Sequence, residues 1–202
     1  MSDSLAEAEK MMDRGWELLR EHCPEEALEI GIALEGRRYS GGFEMQALAL
    51  ADLGRRPEAI EVLERGVETV PDVWLLWQLL GNYRSDEGDY EGAFAAYERA
   101  SACECDRMSL DYNHGNALAR AGRLEEARAK LEPLLAQVHD PETDPELARL
   151  IVGELGNVLR KQSKDAEADV LADRYAAVIG VLPPVRWRRR VPRALTSAWR
   201  RK

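Results

Sequence analysis

The chain has 202 residues, with 28 Lys and Arg against 37 Asp and Glu and a formal net charge of −9. That length fits one domain or two small ones, and the acidic average excludes nucleic acid as the partner of the whole surface. Apolar residues make up 45% and aromatics only 6%, with Ala, Leu, Glu and Arg dominant, which excludes a β-rich or disordered chain and points to an all-α one.

Taken in chain order, the predicted elements are helices in pairs. The segment Met1–Glu7 is acidic and lacks the basic and apolar regions of a secretory signal. Pro24 sits at the first turn of a second helix, where its missing N–H costs nothing, and Ala27 follows it. His22 and Cys23 lie at the turn before it. The counterpart of Ala27 in the next unit is Ala59, within Gly54-Arg55-Arg56-Pro57-Glu58-Ala59. The same pattern of Gly and Ala recurs at Gly88–Ala93 and Gly122–Ala127, at a constant interval of about 34 residues. The step from Ala27 to Ala59 is slightly shorter, which marks a shortened first unit. Glycine in this pattern can take the left-handed conformation that ends a helix. Gly81-Asn82 likewise recurs as Gly115-Asn116.

Beyond that point both markers slip together: the steps from Gly115 to Gly156 and from Ala127 to Ala168 are lengthened by the same amount. The surplus falls in the turn-rich stretch 137–145. Asp89 and Asp165 are the expected N-caps of later second helices. Pro133 should kink or shorten its helix. Gly81 and Gly115, set against Ala93 and Ala127, let paired helices approach closely, and Ala100 leaves room for the next unit. Charged pairs such as Glu61 and Arg65 read as solvated contacts one turn apart.

Trp77-x2-Leu80-Gly81, then Ala93-x3-Tyr97 and Ala100, with Pro71 closing the preceding unit, resembles the tetratricopeptide repeat family. Arg84 stands where that family prefers Tyr. The register gives units of about 8–39, 40–73, 74–107, 108–141 and 149–182, so 1–182 is expected to form one repeat domain. The resemblance, to a bacterial member of the family, implies an all-α, right-handed superhelical solenoid of about five antiparallel helix-turn-helix repeats. It implies a protein-binding adaptor that needs no cofactor and is not an enzyme.

In this family the first helix of each pair lines a concave groove. The register then places Met12, Trp16, Glu44, Leu48, Gln78, Asn82, Tyr112, Asn113, Asn116, Glu154 and Asn157 on that face. The ladder Asn82, Asn116 and Asn157 has two readings. Its amides suit the backbone of an extended peptide or partner helix, or they bond locally between helices. A family clamp for a C-terminal carboxylate aligns with Gln78, Asn82 and Asn113, but Leu150 and Glu154 stand where Lys and Arg are required, so that clamp fails.

Other chemistries find little support. Cys23, Cys103 and Cys105 form no disulfide framework and imply a reducing compartment, the cytoplasm of a bacterium. With His22, His114 and His139 they offer no zinc spacing. No nucleophile elbow or phosphate-binding loop is present, and no segment approaches the ~20 apolar residues of a membrane span.

The C-terminal segment differs from the rest. Residues 183–202 hold eight basic side chains and no acidic one, among them Arg186, Arg188, Arg189, Arg190, Arg193 and Arg200, interleaved with Trp187 and Trp199. Residues 1–182 keep 20 basic against 37 acidic, a net of −17. Three readings stay open: a solvated segment, a self-docking arm that drives assembly into homo-oligomers, or a tether to anionic membrane or nucleic acid.

Overall fold

The computed structural model describes residues 2–37, 39–140 and 142–179. The basic segment 183–202 and every expectation attached to it lie outside the described residues. Ten helices pair as five antiparallel hairpins: α1 (Ser2–Arg20) with α2 (Pro24–Gly36), α3 (Ser40–Asp52) with α4 (Arg56–Thr69), α5 (Trp74–Asp86) with α6 (Tyr90–Ser101), α7 (Arg107–Arg120) with α8 (Leu124–Leu131), and α9 (Pro145–Lys161) with α10 (Asp165–Arg174). A short α11 (Ala176–Ile179) follows. Each hairpin packs on the next, and consecutive first helices meet: α1 with α3, α3 with α5, α5 with α7 and α7 with α9. Stacking supplies the core that no hairpin could bury alone, which makes the chain an all-α solenoid.

The turns follow the glycine spacing. Gly54, Gly88 and Gly122 have φ of 76°, 85° and 80°. The outer hairpins make the same turn without glycine, at His22 and Ser163, both with φ 60°. His22 stands to Gly54 as Ala27 stands to Ala59, and Ser163 stands to Gly122 as Ala168 stands to Ala127. A non-glycine residue in this conformation costs about 1–2 kcal/mol, which is why glycine spacing alone marks neither turn.

Capping is partly as expected. Asp89 accepts a hydrogen bond from the Gly92 amide at 3.0 Å. Asp165 does not cap its helix: Lys164 occupies that place and Asp165 is the first residue of α10, where its charge still favours the helix N-terminus. Asp106 and Asp144 are caps that the repeat spacing did not single out. Pro133 ends α8 at Leu131, and the chain continues as a 3-10 turn over Glu132–Ala136. Residues 137–144 connect the 3-10 turn to α9, which begins at Pro145, so the fifth first helix starts ahead of the expected unit boundary at 149.

Close packing is strongest in the middle. A Cβ on Gly81 would lie 2.6 Å from the Tyr97 ring, and one on Gly115 would lie 2.8 Å from Leu131, the repeat equivalent of Tyr97. Gly156 has nothing nearer than 3.5 Å, so the fifth hairpin makes no such use of its glycine. Arg84, standing in the tyrosine position, reaches Glu64 of the preceding hairpin at 2.7 Å. Arg65 pairs with Glu35 of the first hairpin at 3.6 Å, not with Glu61 one turn away. Arg65, expected in a solvated pair on its own helix, therefore connects neighbouring hairpins, as does Arg84.

Candidate binding groove

The first helices form one continuous wall because each touches the next. Two cross-links fix that adjacency. Gln78 Nε2 donates to Ser109 Oγ on α7 at 3.5 Å, and Arg120 on α7 donates to Asp86 and Ser85 on α5 at 2.8 and 3.3 Å. Along the wall, Glu44, Gln78 and Tyr112 hold equivalent positions in consecutive hairpins. One turn further along each helix stand Leu48, Asn82 and Asn116, with Asn157 on α9.

These residues do not share one environment. Glu44 is 1% exposed and Gln78 is 7% exposed, so both are floor rather than contact surface in the unbound chain. Neither oxygen of Glu44 has a hydrogen-bond partner among the described residues, and neither does Gln78 Oε1. Burial alone pushes the Glu44 carboxyl up to about 8, since the charged form has lost its water. Met12, Trp16 and Leu48 are half-buried and pack on the core of the first two hairpins.

The asparagine ladder divides. Asn82 Oδ1 accepts the Tyr97 hydroxyl at 2.9 Å, which is the local bond between paired helices. Asn157 is exposed and donates to Glu154 at 3.4 Å. Asn113 and Asn116 are half-buried, as is Tyr112. Burial raises the Tyr112 hydroxyl well above its ordinary range, with Glu154 adding and Arg149 opposing. Arg149 is the residue that the register missed. It immediately precedes Leu150, it is felt at Tyr112, and its Nε and Nη2 have no partner among the described residues. The register places Leu150, Glu154 and Asn157 on the same helix and gives no signal for Arg149.

Elsewhere the charges are already compensated. A cleft of 770 Å³ between α6 and α8 is lined by Phe94, His114, Arg123 and Lys130, among others. Arg123 pairs with Glu126 at 2.6 Å and Lys130 with Asp111 at 3.2 Å. His114 stacks on Tyr97 at 5.2 Å, and burial, with Lys130 adding, brings it down to about 4. Among the described residues no group of three or more His, Cys, Asp or Glu could hold a metal. No helix there is long and apolar enough to cross a membrane. The three cysteines are free thiols.

Residues 44–104 match the tetratricopeptide repeat family. A stretch of 101 residues, 50% of this chain, is 30% identical to the protein FlbA of Caulobacter vibrioides and spans 17% of that protein. Among solved structures, MamA of Desulfovibrio magneticus RS-1 has a TM-score of 0.69 at 19% identity, over 88% of this chain and 97% of that one. PilW, described as a widely conserved type IV pilus biogenesis factor, has a TM-score of 0.72 at 18% identity, over 87% of this chain and 79% of that one. At those identities the likeness establishes the fold.

Proposed function

We propose that this all-α solenoid, of which residues 44–104 match the tetratricopeptide repeat family, is a non-enzymatic adaptor that captures an extended peptide or partner helix on the wall of its first helices. The observation that carries this reading is the wall itself. Asn113, Asn116, Glu154 and Asn157 offer amides and a carboxylate on adjacent helices, and only Asn157 and Glu154 bond to each other. An amide supplies donors and an acceptor together, which suits a peptide backbone whatever its side chains. Rigid helices hold these groups before the partner arrives, so little ordering entropy opposes capture.

The test is selection of short random peptides on the full chain. Peptides selected by the wild type should lose affinity for Asn116→Ala combined with Asn157→Ala, while helicity stays unchanged. Equal affinity of that double variant overturns the reading. The second reading is assembly through residues 183–202, favoured by a net of −17 on residues 1–182 against eight basic residues in the tail. An ion-driven oligomer should dissociate as salt rises from low to physiological concentration, since surface charges are screened over ~10 Å. A mass in solution that does not change with salt removes it.

A further inference from the structure

Resting on the groove reading, we propose that the floor at Glu44 and Gln78 receives a long cationic side chain, lysine or arginine, projecting from the captured peptide. Both carboxyl oxygens of Glu44 and Oε1 of Gln78 are buried at equivalent positions of consecutive hairpins and have no hydrogen-bond partner among the described residues. An acceptor sealed away from water without a partner is a standing cost to the fold, larger for a group that can carry charge. A partner that brings the missing donor removes that cost on binding, and an ammonium or guanidinium supplies donors together with a positive charge that favours release of the Glu44 proton.

Leu48 lies one turn from Glu44 on α3, and Met12, Trp16 and Leu48 are half-buried against the core of the first hairpins. The methylene stem of Lys or Arg lies well against such surfaces while its head reaches the carboxylate. Because Glu44 is closed over in the unbound chain, the head must displace part of that cover. Binding therefore selects for a long, flexible cationic side chain over a short one.

Selection of a short random peptide library on the full-length chain tests this. Lysine or arginine should be enriched at one fixed position. Glu44→Gln should abolish that enrichment and weaken the selected peptide about tenfold. Replacing the selected lysine by norleucine should cost as much, with no further loss in the Glu44→Gln background. A thermal midpoint of Glu44→Gln at or above that of the wild type shows that the variant is folded. Selection without a cationic preference, or a preference that survives Glu44→Gln, overturns the inference while leaving the groove reading intact. Equal binding by Asn116→Ala with Asn157→Ala, or no selected peptide at all, overturns both. If a synthetic peptide of residues 183–202 displaces the selected peptides from the wild type but not from Glu44→Gln, the chain's own tail is the occupant and an outside cation is not.

Discussion

The Tyr97 hydroxyl donates to Asn82 Oδ1 at 2.9 Å across the third hairpin, while its ring lies where a Cβ on Gly81 would sit. One side chain thus fastens the helix pair twice, through a hydrogen bond and through the space that a glycine leaves. This relationship takes Asn82 out of any simple ladder of peptide-binding amides. It also predicts that Tyr97→Phe costs about 1 kcal/mol, the net worth of a hydrogen bond with its half-buried partner left behind. Denaturant titration of Tyr97→Phe against the wild type measures it, and Asn82→Ala in the Tyr97→Phe background should add little.

Gly81→Ala should be far more damaging than its size suggests. The new methyl would meet the Tyr97 ring at 2.6 Å, so helices α5 and α6 must separate or the ring must move. An overpacked core typically loses about 1–3 kcal/mol. Gly156→Ala, whose new methyl would meet only the flexible Arg160 guanidinium at an ordinary contact distance of 3.5 Å, should instead stabilise α9 by up to about 1 kcal/mol through helix propensity. Thermal melts of the two variants should shift in opposite directions.

His22→Gly and Ser163→Gly should each leave stability unchanged or raise it by about 0.5–1 kcal/mol. Both residues hold a φ of 60°, where only glycine is free of Cβ strain. The gain is partly offset by the larger entropy of glycine in the unfolded chain. A loss of more than about 1 kcal/mol in either variant would show that the side chain holds its turn by a contact.

Two buried titrating groups act in opposite directions on the pH dependence of stability. Glu44 keeps its proton up to about 8 in the folded chain against an ordinary 4.5, so between those values the unfolded chain binds fewer protons. Its contribution is fully present below 4.5 and is lost as pH rises through 8, at up to about 1.4 kcal/mol per unit. His114 titrates at about 4 against an ordinary 6.5, so its contribution is lost as pH falls between those values. From these two groups the wild type should change little between pH 4.5 and 6.5 and weaken between 6.5 and 8. Glu44→Gln should remove the weakening above 6.5 and raise the thermal midpoint on the alkaline side of that value. His114→Gln should expose the Glu44 slope below 6.5. Melting curves across this range check all three.

Adjacent hairpins are tied by charges as well as by the core. Arg84 reaches Glu64 at 2.7 Å, and Arg120 reaches Asp86 at 2.8 Å. Arg120→Ala should cost less than about 1 kcal/mol, because the pair is partly exposed. Its double-mutant cycle with Asp86→Ala should show a coupling that fades in high salt. A coupling insensitive to salt would mean that packing, not charge, joins α5 and α7.

Much of this architecture could be read along the chain, since a repeat declares itself by spacing. Alanines and glycines that return at one constant interval mark positions with a recurring structural demand, a close helix contact at Ala93 and Gly81 or a left-handed turn at Gly54, Gly88 and Gly122. The slip that Gly156 and Ala168 share locates an insertion to within a short stretch. Glycine spacing marks neither outer turn, because His22 and Ser163 adopt the left-handed conformation without glycine; the turn at His22 is read from Pro24 instead. Asp165 misled as a cap because a helix start is set by backbone hydrogen bonds that sequence does not tie to one residue.

Periodicity alone carries the five hairpins, their order, and the side chains that recur on the first helices. Depth belongs to the packed fold. Periodicity assigns a residue to a face, but whether that face is floor or surface depends on how closely the neighbouring helices pack over it. Glu44 and Asn157 were both read as residues of the groove, yet one is sealed without a donor and the other is open to water. That difference makes Glu44, together with His114, a source of the pH dependence, and it is the basis of the partner chemistry proposed above.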